Sequence, residues 1–367
     1  MGFRKLKPRP GVVLQRSAFP DYRKEVLRLL SEMLHGSLSV LVGSESFDRT
    51  THADLTSVDS VTQVDNYYLF GRRMLWQSGV VRPAVRAHCA IVELNPRIVS
   101  GWVILAARKI LRRPSVTWGH VWSRDGPRSR TNGLRHAMRS LAATHVVYTA
   151  RQRQELLKHI PTAQVIVAPN AVYRADQMDP STSDQPTDIL FSGRLIPSKK
   201  PLLLLEAFVL AIQRGLPPEY TLTFIGDGPV RESLVQAVRK SGTAAARVRL
   251  LGQMSPYHVH SYYRDALVSV SPGYVGLSAI QSFSFGVPLI VARDEPHAPE
   301  VEALRPDVNA VLVPSDDPSS LADVLLSVAE EHRLWIGRRS DIVARCREAY
   351  SVEAMAAGLK ASIDATA

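Results

Sequence analysis

The sequence predicts an α/β protein made of two doubly wound, parallel-sheet (Rossmann-like) domains, and three observations carry that reading. Short apolar runs of strand length alternate with helical stretches along both halves of the chain, as in βα units whose strands pair in parallel. A polar segment, residues 174–187, holds two prolines and no apolar period, which is linker composition. Residues 267–291 read as a buried strand, a Gly-containing turn, a helix, a Gly-Val-Pro break and a second buried strand. Flanking Gly and Pro favour strands over helix for the two apolar runs.

In chain order, residues 11–15 form a first strand, 22–34 a helix after Pro20, and 38–43 a second strand. Residues 45–66 are polar and irregular, with no readable element. Strands at 90–94 and 115–118 are separated by the helix 99–111. Residues 134–141 are helical, 145–149 a strand, 152–159 a helix, and a strand at 165–167 runs into Ala168-Pro169-Asn170-Ala171. Residues 1–173 thus make the first domain and 174–187 the linker.

Beyond the linker a strand at 189–191 precedes Gly193-Arg194, followed by a helix at 201–214. A strand at 222–225 meets Gly226-Asp227-Gly228-Pro229 before the helix 230–240. Strand 248–251, helix 256–264, the 267–291 unit, strand 311–313 and helix 319–330 complete a second domain over 188–345. A crevice between two such domains is the expected ligand site.

Composition narrows the function classes. At 367 residues and 45% hydrophobic, the chain has ample material for two cores. Its net charge of +11 points to an anionic partner. Two cysteines, Cys89 and Cys346, suit a reduced, cytoplasmic setting and argue against a metal cluster. The basic N-terminus lacks the apolar core of a signal peptide, and the most apolar stretch, 98–107, is too short to span a bilayer. The expectation is a cytoplasmic protein, soluble or peripheral at the inner face of the cell membrane.

Three stretches carry candidate chemistry. Gly193-Arg194-Leu-Ile-Pro-Ser-Lys199-Lys200 sets cations on a loop after a strand. A guanidinium fork and a mobile ammonium suit a diphosphate, and a solvated basic loop reads equally well. Gly226-Asp227-Gly228-Pro229 reads as a tight strand-to-helix turn with Pro at the first helical position. Gly276 lets backbone approach a ligand where a helix begins, and the free amides there suit a phosphate. Ser278 and Gln281 have the spacing of a capping box. Neither Gly-rich turn matches a P-loop or a dinucleotide fingerprint.

Taken together these pieces resemble the retaining glycosyltransferases of the GT-B architecture, specifically family 4 (glycosyl transferases group 1). The corresponding elements are Gly193-Arg194…Lys199, Phe224-Ile-Gly-Asp-Gly-Pro229, Leu250-Leu-Gly-Gln253, Ser271-Pro…Gly276-Leu277, Gly286-Val-Pro288 and Pro299-Glu300, in register over residues 188–315. In the first half, Trp118-Gly119-His120 falls where the family has an active-site His, and Pro169-Asn170-Ala171-Val172 resembles its Pro-Asn-Gly-Val turn. Residues 346–367 resemble the closing helix that returns to the first domain.

The resemblance implies two domains facing a cleft and a UDP- or GDP-sugar donor. No Asp-x-Asp occurs in the chain, and Arg194 with Lys199 can supply the charge a divalent ion would otherwise provide, so no metal or other cofactor is expected. It implies that Arg194 and Lys199 hold the donor diphosphate and stabilise the departing nucleotide. Gly193, Gly226, Asp227 and Gly228 would border the site, and amides of Gly276, Leu277, Ser278 and Ala279 would bind the distal phosphate. Leu251 to Met254, with Gln253 and Met254 foremost, would line the base, Gln281 would face the ribose, and His120 the donor sugar. Two departures stand out: the family's paired glutamates fall at Gly273 and Gln281, and Gln15-Arg16-Ser17-Ala18-Phe19-Pro20 replaces its N-terminal Gly-rich loop. Gln281 can still hydrogen-bond ribose hydroxyls, or close the capping box with Ser278. Trp118 and Trp122 flank His120, as a sugar-stacking wall or as packing.

From Arg108 to Arg153 there are eleven Lys or Arg and one acid, Asp125, which suggests an anionic membrane or acceptor. The function expected is transfer of a sugar from a nucleoside diphosphate to an acceptor hydroxyl, with retention, on a lipid-linked glycan or surface-polysaccharide precursor. Alternatives are a tailoring transferase acting on a soluble natural product and a non-catalytic sugar-nucleotide binder. Charge alone would suggest a nucleic-acid binder, but no nucleic-acid module accompanies it.

Overall fold

The structure is a computed structural model that describes residues 11–47, 58–123 and 126–366, without the Tyr257 side chain. The basic segment 1–10, residues 48–57 of the polar stretch, and Arg124-Asp125 of the cationic run lie outside the described residues. Two compact units emerge: Met1–Asn170 with Val352–Ala367, and Ala171–Ser351.

The first unit holds a seven-stranded parallel sheet in the order β3-β2-β1-β6-β7-β8-β9. Its strands are β1 (Val12–Arg16), β2 (Leu38–Gly43), β3 (Val61–Val64), β6 (Cys89–Glu93), β7 (Ser115–Trp118), β8 (Thr144–Val147) and β9 (Gln164–Val167), with β4 (Asn66–Leu69) and β5 (Met74–Gln77) forming a separate antiparallel hairpin. Helices α1 (Lys24–Met33), α2 (Val81–Arg86), α3 (Val99–Ile110), α4 (Asn132–Arg139) and α5 (Ala150–His159) connect them. Because helices cover both faces, the central strands are apolar and buried over Val12–Leu14 and Cys89–Val92, and the buried Gln15 is satisfied by Gln77 and Glu93 N. The chain winds outward from β1 to β3, then restarts at β6 on the other side. That reversal opens a crevice at the carboxyl ends of β1 and β6.

The second unit repeats the plan with six strands in the order β12-β11-β10-β13-β14-β15. These are β10 (Asp188–Ser192), β11 (Thr221–Ile225), β12 (Val248–Leu250), β13 (Ala266–Ser271), β14 (Leu289–Ala292) and β15 (Ala310–Val313). Its helices are α6 (Pro201–Gln213), α7 (Arg231–Lys240), α8 (Pro256–Arg264), α9 (Leu277–Phe283), α10 (Pro318–Glu330), α11 (His332–Gly337) and α12 (Arg339–Tyr350), and α13 (Val352–Asp364) belongs to the first unit. Phe191, Phe224, Val268 and Ile290 of the sheet pack with Leu204, Phe208, Leu321 and Leu325 of α6 and α10 in one core. The reversal point here is the β10/β13 pair.

Several expectations are corrected. The segment 174–187 is not an independent linker: Met178 is buried, Ser181 N donates to Phe285 O, and Arg339 and Arg347 of α12 donate to carbonyls of Ser181 and Met178. Of its polar side chains, Ser181 Oγ also accepts from Arg339 at 2.7 Å. The first unit ends at Asn170 rather than 173, and the second runs to Ser351 rather than 345. Helix α12 stays with α9, where Cys346 is buried, and only α13 from Val352 packs on α1 and β9. Gly358 is needed there, since a Cβ would lie 2.4 Å from Val167 O. Strands β3 and β4 have no buried residue and so no apolar face that sequence reasoning could detect, and β5 buries only Leu75 and Gln77, too short a pattern to read. Helix α2 was missed because it carries Pro83 in only six residues.

The capping box at Ser278 is also absent. The N-cap of α9 is Gly276, so Ser278 lies inside the helix, and its buried Oγ has no hydrogen-bond partner among the described residues.

Candidate functional site

In the second unit the loops leaving β10, β11, β12 and β13 interlock at the carboxyl edge of the sheet. Gly193 N donates to Ile225 O at 2.9 Å, and Leu195 N to Asp227 O at 2.8 Å. Gly226 N donates to Gly252 O at 2.8 Å, which brings the Gln253-Met254 loop alongside. A Cβ on Gly226 would lie 1.8 Å from Gly193 O, and its φ of +142° is hostile to side chains, so only glycine permits this approach. Asp227 is occupied by its own turn, its carboxylate accepting from Gly228 N at 2.7 Å.

The 193–199 loop is pinned on the other side as well. Tyr274 N donates to Ser198 O at 2.7 Å, and Lys199 Nζ donates to Tyr274 O at 3.2 Å. Gly273 makes this contact possible: a Cβ there would lie 2.3 Å from Ser198 O and 3.0 Å from the Lys199 Cα. The position where the resembled family has a glutamate is therefore filled by backbone of the cationic loop. Burial first, then the charge of Arg194, push the Lys199 ammonium down to about 8, partly offset by Glu300. Arg194 is exposed beside it.

Gly276, Leu277 and Ser278 open α9, whose first amides have no intrahelical acceptor. The amide of Ala279 is already used, donating to Gly276 O at 3.0 Å. One turn on, Gln281 is held through both ends of its amide. Its Oε1 accepts from Ser192 Oγ at 3.0 Å, and its Nε2 donates to Tyr173 OH at 2.9 Å, while Tyr173 OH donates to Pro256 O at 2.8 Å. Sequence reasoning missed Tyr173, since nothing local marks a tyrosine that anchors a side chain more than a hundred residues away. If this relay fixes Gln281, then Gln281→Ala and Tyr173→Phe each cost about 1 kcal/mol of stability, and the double variant costs clearly less than the sum. Urea titration of the four proteins measures this, and strict additivity would contradict it.

In the first unit the crevice at β1 and β6 holds a different chemistry. Glu93 Oε2 accepts from Ser17 N at 2.6 Å and from Ser17 Oγ at 2.8 Å, with Arg16 Nε 3.8 Å away. Arg16 and Arg23 stand 4.6 and 5.2 Å over the Trp118 ring. His120, at the end of β7, lies 4.5 Å from the Tyr148 ring with its Nδ1 3.3 Å from Gln152 Nε2. Burial, then Arg135, Arg16 and Arg23, hold the imidazole down to about 4. His120 is an exposed residue, and the three guanidiniums facing it disfavour its charged form. His120 is a neutral hydrogen-bonding group at pH 7. Arg23 and Glu93 escaped sequence reasoning because only the tertiary structure brings them to Arg16, which the sequence marks as part of the segment in place of the Gly-rich loop.

Trp118 and Trp122 pack rather than form a wall. Trp118 is fully buried, and Trp122 sits edge-on to His136 and His159 while donating to Glu155. Part of the cationic run 108–153 is internal: Arg108 and Arg139 are buried and Arg113 and Arg135 half-buried, whereas Lys109, Arg112, Arg128, Arg130, Arg151 and Arg153 are exposed. Arg108, Arg113, Arg135, Arg139 and Arg153 donate to backbone carbonyls, Lys109 donates to Ser140 O, and Arg151 pairs with Glu155.

Residues 186–331 match the family model of glycosyl transferases group 1. No curated protein matches the chain by sequence. Among solved structures, Anabaena HepE in complex with UDP superposes with a TM-score of 0.72 at 16% identity, over 96% of this chain and 99% of that one. Sucrose-phosphate synthase from Thermosynechococcus elongatus gives 0.66 at 17% identity, over 97% and 99% of the two chains. The lipopolysaccharide outer core galactosyltransferase WaaB, in its apo form, gives 0.64 at 16%, over 97% and 99%. At such identities the likeness establishes the fold, which is GT-B.

Proposed function

With residues 186–331 a glycosyl transferases group 1 domain on a GT-B fold, we propose that this glycosyltransferase moves a sugar from a nucleoside diphosphate to an acceptor hydroxyl, with retention and without a metal ion. The observation that carries the proposal is the convergence at the β10/β13 reversal. There the loop carrying Arg194 and Lys199 is tied, 3.2 Å from Lys199 Nζ to Tyr274 O, to the turn that leads into α9 with its opening amides and the unsatisfied Ser278 hydroxyl. A diphosphate seated there would meet two cations, backbone N–H donors and a hydroxyl donor. The two cations can take the charge of the departing nucleotide, a task otherwise given to a divalent ion.

A uridine donor is favoured because HepE structures hold UDP and UDP-glucose; a GDP-sugar is the alternative. Gln253 and Met254, beside the Gly226 turn, suit the base, and Gln281 retains one lone pair and one N–H for a ribose hydroxyl. His120, neutral at pH 7, would hydrogen-bond a sugar hydroxyl. Retention, and an acceptor on a lipid-linked or surface-polysaccharide precursor, rest on the sequence resemblance.

A thermal-shift series with UDP, GDP and their sugars in EDTA tests the binding, followed by turnover with and without magnesium. Ligand at a hundred times its Kd stabilises by about 2.7 kcal/mol, a readily measured rise in Tm. Failure of every nucleoside diphosphate to raise Tm would overturn the proposal. Activity lost in EDTA and restored by magnesium would remove its metal-free part.

A further inference from the structure

The β4–β5 hairpin presents an apolar face that its fold does not explain. Tyr67 pairs with Trp76 and Leu69 with Met74, and residues directly opposite share a face. That face looks outward, since the intervening Leu75 and Gln77 are fully buried on the other side. Tyr67, Leu69 and Phe70 are 54%, 41% and 76% exposed, and Trp76 and Met74 are half-buried. At the tip, Phe70, Gly71 and Arg72 take φ of 51°, 61° and 65°. A phenylalanine in the left-handed region costs conformational energy, and here its exposed ring recovers none by burial.

The hairpin is nonetheless built to be rigid. Asn66 Nδ2 donates to Ser17 O at 2.9 Å and Glu45 O at 3.0 Å, and Gln77 Nε2 to Arg16 O at 3.0 Å. Arg72 lies 3.6 Å over the Tyr68 ring and donates to Phe47 O, Ser46 O and the Glu45 carboxylate. Arg97 stacks 3.9 Å over Phe47 and donates to Arg73 O. A rigid support under a strained, exposed aromatic implies a partner outside the chain.

We infer that this face docks on an anionic lipid bilayer, with the Tyr67, Phe70 and Trp76 rings at headgroup level, Leu69 and Met74 below them, and Arg73 and Arg97 against lipid phosphates. Aromatic and aliphatic side chains beside cations match a membrane interface. Charge agrees: of the nine Lys or Arg from Asn66 to Ser123, six are exposed (Arg73, Arg82, Arg86, Arg97, Lys109 and Arg112), and the one acid there, Glu93, is turned inward to Ser17. Asp65 is the exposed acid at the foot of the hairpin. Two four-residue strands are too small for a stable dimer, which needs about 800 Å² from each partner. Because the hairpin is rooted on the last residues of β1, attachment there would hold the crevice containing Arg16 and Glu93 at the membrane. Among the described residues no helix is long and apolar enough to cross a bilayer, so the contact is interfacial.

The test is flotation of the full chain with phosphatidylcholine vesicles, with and without phosphatidylglycerol, at low and high salt. The parent is expected to float with the anionic vesicles, less so at high salt. Leu69→Ser with Phe70→Ser should weaken this about tenfold or more, and Arg73→Glu should weaken it at low salt only. A Phe70→Trp variant should show a blue shift on binding. Unchanged Tm and nucleotide-induced thermal shift in these variants would separate a docking defect from a folding defect or a failed donor site. Absence of parent binding to anionic vesicles overturns the inference, as does equal binding by the double variant. Dimerisation abolished by the same substitutions would overturn it in favour of a second copy of the chain.

Discussion

Lys199→Ala is expected to lower kcat/KM for the donor by about a hundredfold, from the loss of ~2–3 kcal/mol of charge-assisted hydrogen bonding in the transition state. The same lysine gives the parent a pH signature. Its ammonium is lowered from 10.5 to about 8 because it is buried beside Arg194. Donor kcat/KM should therefore fall as pH rises through about 8, when the free protein loses that charge. A bound diphosphate favours the charged form, so the limb in kcat should lie higher. Lys199→Arg should move the limb out of range, because a guanidinium stays charged.

The linkage sign for stability is opposite to that of a lysine with a strong partner. Between about 8 and 10.5 the unfolded chain binds more protons than the folded one. The destabilisation from Lys199 is thus complete below about 8 and is relieved as pH rises toward 10.5. A kcat/KM profile flat from pH 7 to 9.5, or one unchanged by Lys199→Ala, would show that Lys199 does not hold the donor.

Gly273→Ala is expected to be nearly as damaging, although alanine is the smallest possible change. The new Cβ would lie 2.3 Å from Ser198 O and 3.0 Å from the Lys199 Cα, both backbone atoms that cannot swing aside. The turn Pro197–Lys199 must lift, which breaks the 2.7 Å bond from Tyr274 N and the 3.2 Å bond from Lys199 Nζ to Tyr274 O. A stability loss of about 1–3 kcal/mol is expected from the overpacking, with a fall in donor kcat/KM approaching that of Lys199→Ala. Gly273→Glu, which inserts the resembled family's residue, should be worse rather than restorative. Denaturant melts and donor kinetics read both effects. Parent-like values for Gly273→Ala would mean that the loop has another way to seat.

The amino-acid sequence by itself determined the alternation of strands and helices and the second half's order of Gly193, Gly226, Gly276 and Gly286. These features are local: apolar run length, helical period and the residues that permit a turn are written in neighbouring positions. Fold class and the cationic loop Gly193–Lys199 were legible for that reason. Gln281 was legible as a polar residue in α9, but its partners Ser192 and Tyr173 were not.

What only the tertiary structure decided depends on atoms distant in sequence. Strand order set Arg16 and Glu93 at the crevice of the first unit, and close backbone approach turned Gly273 from a missing glutamate into a seat for the Lys199 loop. Burial changed the meaning of charge: Arg108 and Arg139 look like surface cations in the sequence and are fully buried on carbonyl oxygens in the fold. A guanidinium can satisfy up to five acceptors wherever the chain brings carbonyls together, and no local pattern announces where that will be.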